Sequence, residues 1–68
     1  MSVSKVRYGR CNLMVVREGS RYVAHVERAI SGERVGVVVA GQSFEEAVMN
    51  AKLEALRAGG PTETEALP

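Results

Sequence analysis

Asn12-Leu13-Met14-Val15-Val16-Arg17-Glu18-Gly19-Ser20-Arg21-Tyr22-Val23-Ala24-His25-Val26-Glu27, running on to Gly36, is the stretch whose reading decides the fold. Two apolar, β-branched-rich runs, residues 11–17 and 21–30, flank Glu18, Gly19 and Ser20, where glycine supplies the positive φ that a short hairpin loop needs. The spacing predicts strand, turn, strand. A second turn signal, Ser31-Gly32-Glu33, leads into residues 34–40, whose four valines favour a strand over a helix. The result is an antiparallel meander.

Working outward, residues 1–9 carry Val3, Val6 and Tyr8 among Ser4, Lys5 and Arg7, a short first strand that would end at Gly9. In the second strand Leu13 and Val15 point one way and Met14 and Val16 the other, the pattern of a strand with apolar groups on both faces. One of those faces should meet a helix. The third strand alternates more cleanly, with Tyr22, Ala24, Val26 and Ile30 as the core face and Arg21, Val23, His25 and Glu27 opposite. In the fourth, Val35, Val37 and Val39 are expected on one face and Gly36, Val38 and Ala40 on the other.

Gly41 and Gln42 end the sheet, and Ser43-Phe44-Glu45-Glu46 reads as a capping box: the serine hydroxyl accepts from the Glu46 amide, and the Glu46 side chain returns to the serine amide. The helix should begin at Phe44 and stop at Gly59, before Gly60 and Pro61. Glu45, Glu46 and Arg57 suit its dipole. Phe44, Ala47, Val48, Ala51, Ala55 and Ala58 form its core stripe. Met49, Leu53 and Leu56 form a second stripe, which wraps the sheet edge, packs under the N-terminal strand, or makes a homodimer or second interface. The expected fold is therefore α+β: a three- to four-stranded antiparallel sheet packed on one C-terminal helix. Residues 1–60 make a single domain and 61–68 a loose tail.

Composition narrows the chemistry. A chain of 68 residues is one small domain with a thin core. The single cysteine, Cys11, allows no intrachain disulfide and fits a reducing cytosol. No apolar run is long enough for a membrane span and the first residues lack a signal-peptide core, so the expected location is cytoplasmic. A net charge of +1 separates the chain from polybasic nucleic-acid binders and acidic DNA mimics. All eight acids are glutamates, which removes the aspartate that most often orients a histidine or binds a metal. His25 and Cys11 are each the only residue of their kind, and no glycine-rich phosphate loop is present. Neither enzyme chemistry nor a cofactor is expected.

Arg17 and Arg21 flank one hairpin, and Arg28 and Arg34 the other. Tyr8, Tyr22 and Phe44 are the only aromatic residues and the last two belong to the core, so direct binding of DNA is not expected and RNA is a lesser option. What remains is a partner-binding module. Its sheet face bearing Met14, Val16, His25, Glu27 and Val38 mixes apolar and charged groups as interfaces do.

The stretch from Asn12 to Glu27, followed by Gly32 and Val35-Gly36, resembles the hairpin of a phage anti-CRISPR family that inhibits type I CRISPR-Cas surveillance complexes. The likeness runs without a gap. It implies a compact antiparallel sheet with helices on one side, which binds the Cas subunits holding the guide RNA and stops target DNA from pairing with it. Glu27 falls where that family has a glutamate in the partner contact. A contact tyrosine of the family falls at Val16, and Tyr8 lies near the place of another, without an in-register match. The family's second helix has no counterpart in a chain this short. Separately, Tyr22-Val23-Ala24 and Gly41-Gln42-Ser43-Phe44-Glu45-Glu46-Ala47 with Ala51 resemble the HicB-like antitoxins, whose sheet-and-helix domain masks an mRNA-cleaving toxin. The proline-containing loop usual between their strands is missing here, as is a DNA-binding C-terminal segment. The resemblance implies a partner contact at Glu27 and points to Val16 and Tyr8, and the outer sheet face adds His25, with a type I Cas protein as the expected partner and an antitoxin's mRNA-cleaving toxin as the alternative.

Overall fold

The structure is a computed structural model and describes residues 2–58. Four strands, β1 (Val3–Tyr8), β2 (Cys11–Glu18), β3 (Arg21–Arg28) and β4 (Arg34–Gly41), precede one helix, α1 (Phe44–Arg57). The strands pair in chain order as one antiparallel sheet, with α1 across one face. This is the expected α+β meander, with the first strand present. No helix among the described residues is long and apolar enough to cross a membrane.

Two glycine-led hairpins set the register. Tyr8 pairs with Cys11 across Gly9-Arg10, and Glu18 with Arg21 across Gly19-Ser20. Gly9 and Gly19 take φ of 62° and 65°, a conformation that costs a side-chain-bearing residue about 1–2 kcal/mol. An arginine two residues earlier clamps each turn: Arg7 Nε donates to Gly9 O at 2.7 Å and Arg17 Nε to Gly19 O at 3.0 Å.

The core lies between the sheet and α1. Leu13, Val15, Val26 and Cys11 are the largest fully buried side chains, and Ala24, Ala47, Ala51 and Ala55 close the layer with almost no volume. The helix alanines let α1 sit close to the strands, at the cost of a core with few large groups. Tyr22 adds an edge-on contact with Phe44, the ring centroids 6.1 Å apart.

Four details differ from the sequence expectation. Ile30 is 89 % exposed, because β3 ends at Arg28 and residues 29–33 turn away from the sheet. Val37 does not share a face with Val35 and Val39, because Ala24 pairs with Val39 and Val26 with Val35, leaving three β4 residues opposite His25. Gly36, at φ 72°, makes that bulge and swings Val37 outward to 60 % exposure. At the helix start Ser43 Oγ accepts from the Glu46 amide at 3.1 Å as expected, but the Glu46 carboxylate accepts from Gln42 N rather than from Ser43. Phe44 and Ala58, assigned to the core stripe, are exposed. The expected stop at Gly59 and the tail beyond it lie outside the described residues.

Candidate functional site: the uncovered sheet face

One face of the sheet carries the helix. Among the described residues, nothing packs on the other. Beyond the Glu18–Arg21 pair at the β2–β3 turn, the pairing register resolves this outer face into three rows. Val3, Val16, Val23 and Ala40 form an apolar row across all four strands. Lys5, Met14 and His25 form the second, ending at the β4 bulge beside Val38. Arg7, Asn12, Glu27 and Arg34 form the third. The surface therefore places its apolar row between the Glu18–Arg21 pair at the β2–β3 turn and the charged row at the opposite end. Val3 and Val38 are about half exposed, and Met14, Val16 and Val23 are half-buried only by their own sheet neighbours.

Two polar side chains are hydrogen-bonded to each other on this face. His25 Nε2 lies 2.8 Å from Glu27 Oε2, and both are partly buried. Residues two apart on a strand share a face, so β3 itself sets this bond. It restrains the rotamers open to the glutamate. Arg34 stands directly across from Glu27 on β4 and Asn12 directly across on β2.

The expected contact residues divide. Val16, His25 and Glu27 lie on the outer face in three successive rows, in the setting the pattern predicted. Tyr8 does not join them: it pairs with Cys11, so its ring is on the helix side, with Lys52 Nζ 5.5 Å from its centroid. The register missed by simple alternation is the reason, since Val6 and Tyr8 share the parity of Leu13 and Cys11. Sequence reasoning also passed over Val23, Ala40, Arg7 and Arg34, which complete the rows. Their signal was present as strand parity, and only the register joins them across strands.

Met49, Leu53 and Leu56, the second helix stripe, are 58 %, 57 % and 47 % exposed. None of the three is buried, and Met49 lies beside Val6 of the edge strand β1. Met49 borders a groove of about 270 Å³ with Val6, Phe44, Val48 and Lys52. A wider open groove of about 600 Å³ lies where β4 meets the helix, and two of its polar side chains, Asn50 and Glu46, are engaged with Ala40 O and Gln42 N.

Cys11 and His25 are on opposite faces of the sheet, so they cannot exchange a proton. Burial pushes the Cys11 thiol above its ordinary pKa, with Arg28 and Arg7 opposing, which disfavours a nucleophilic thiolate. No group of three or more metal-ligating side chains forms among the described residues. Comparison with family models, curated proteins and solved structures finds no match to this chain.

Proposed function

We propose that the chain is a non-catalytic inhibitor of a type I CRISPR-Cas surveillance complex, acting in the cytoplasm of a bacterial host. It docks its uncovered sheet face onto a Cas subunit that holds the guide RNA and blocks hybridisation of target DNA. The observation that carries this reading is the position of Glu27 on the uncovered face, held by His25. The resemblance assigns a partner contact to that residue, and it lies on the same face as the apolar row of Val16 and Val23, two rows away. Such a surface suits a partner with an apolar ridge opposite Val16 and Val23 and a basic group opposite Glu27. The contact also runs through Arg7 and Arg34, which flank Glu27 in its row, rather than through Tyr8. The test is target-DNA binding by purified surveillance complexes of the I-F and I-C kinds, with and without a preincubated excess of this protein. Loss of DNA binding with co-elution supports the reading; full DNA binding and no co-elution on both contradicts it.

A second reading, an antitoxin of the HicB-like kind, draws on the strand-to-helix junction. Gly41 packs so closely on the helix that a Cβ there would lie 2.5 Å from Ala47 N, and Ser43 and Glu46 cap the helix as described. These residues carry that resemblance, and each has a structural duty, so the likeness bears on fold more than on function. Protection of mRNA from a co-expressed toxin is the assay that separates this reading from the first.

A further inference from the structure

The sheet has two edge strands, β1 and β4, and they are not alike. Helix side chains occupy β4: Asn50 Nδ2 donates to Ala40 O at 2.7 Å, and the Val37 N–H donates to Glu54 Oε2 at 2.8 Å. The bulge at Gly36 further breaks the repeat that an added strand would need. β1 is regular, with six consecutive pairs to β2 and no shift. Among the described residues, no helix side chain hydrogen-bonds to it.

We propose that the outer edge of β1 is a docking site for an extended segment of another protein whose side chains alternate acidic and apolar, added as a fifth strand. Alternation follows from the two faces of β1. On the outer face Lys5 and Arg7, both exposed, favour carboxylates in the neighbouring strand. On the helix side, the groove bordered by Val6, Phe44, Val48 and Met49 lies beside β1 and takes apolar side chains of moderate size. Backbone pairing supplies affinity and these two faces supply selection. A second copy of β1 is disfavoured as occupant, since the central antiparallel registers set Lys5 against Lys5 or against Arg7. The site shares Arg7 with the proposed docking face but rests on backbone pairing along β1, so the peptide titration tests it apart from the surveillance-complex reading.

The test is titration of the ¹⁵N-labelled full chain with a capped peptide of alternating glutamate and valine, and with its lysine–valine counterpart. Amide shifts are expected in Val3–Tyr8 and at Met49, with the glutamate peptide binding about tenfold more tightly than the lysine peptide. The K5E/R7E double variant, altered only at exposed positions, should invert that order. Three results overturn the proposal. One is equal response to both peptides or to neither. Another is a response confined to Val23 and His25. The last is movement of the β1 amides on E63K/E65K substitution without added peptide, which would assign the edge to the chain's own last residues.

Discussion

The carboxylate of Glu54, on the helix, accepts the backbone N–H of Val37, in the middle of β4, at 2.8 Å. A bulge leaves ladder groups without strand partners, and an unpaired buried amide is costly. Here a side chain from the helix supplies the acceptor. Gly36 makes room, because a Cβ at that position would collide with the Glu54 side chain. Arg57, one turn further along α1, donates from Nε and Nη2 to the same carboxylate. One glutamate thus joins the helix to the edge of the sheet.

This arrangement sets a pH dependence. The Arg57 guanidinium first, and the Val37 amide second, hold the Glu54 carboxyl at about 2, below the ordinary 4.5. The folded-state pKa is the lower one, so the stabilisation is complete above about 4.5 and is lost as pH falls from there toward 2. Urea unfolding of the native chain and of Glu54→Gln should give a higher midpoint for the native chain at pH 7. The difference should close below pH 4. A difference that persists unchanged to pH 2 contradicts the role given to the charge.

Glycines 19 and 36 share a left-handed backbone but not a neighbourhood. Nothing lies within 4 Å of a Cβ built at Gly19, whereas one at Gly36 meets Glu54. Gly19→Ala should cost about 1–2 kcal/mol from φ alone. Gly36→Ala should cost more, because it displaces the carboxylate as well. Equal losses in chemical denaturation would show that the bulge does not depend on Glu54.

The thin core is sensitive in both directions. Leu13→Ala should lose about 2–5 kcal/mol by leaving a cavity. Ala51→Leu should lose about 1–3 kcal/mol by forcing the helix off the sheet. Leu53→Gln, at an exposed position on the same helix, should stay within about 0.5 kcal/mol of the native chain when both are measured at concentrations dilute enough to be single chains. A large loss at Leu53 would mean that the second helix stripe is covered.

That stripe is also the proposed surface for self-association. Light scattering at micromolar concentration should give the mass of two chains, returning to one in Leu53→Glu. A single-chain mass in the native protein removes the dimer.

Much of the fold was legible because the local signals agree with one another. Gly19 between two β-branched runs, Gly32 between β3 and β4, and Ser43 three residues before Glu46 each allow few conformations, and the structure uses all three. What escaped depended on pairs distant in sequence. The bulge at Gly36 exists because Glu54 can reach it, and nothing within residues 34–40 reveals a helix carboxylate seventeen residues on. Ile30 continued the alternation of β3, yet the turn closed by Arg28 O and the Gly32 amide ended the strand first. On the candidate face, strand parity was enough for Val16, His25 and Glu27. The rows that add Val23, Ala40, Arg7 and Arg34, and the separation of Tyr8, needed the register.

The most direct test of the central claim is co-elution of Glu27→Arg with a type I surveillance complex that binds the native chain, with target-DNA binding measured on the same sample. Glu27 is partly exposed on a sheet face, so the variant should keep the native circular dichroism and unfolding midpoint to within about 1 kcal/mol. The expected result is a folded variant that no longer co-elutes and leaves DNA binding intact. A folded Glu27→Arg chain that still co-elutes and still blocks DNA would contradict docking through the uncovered face.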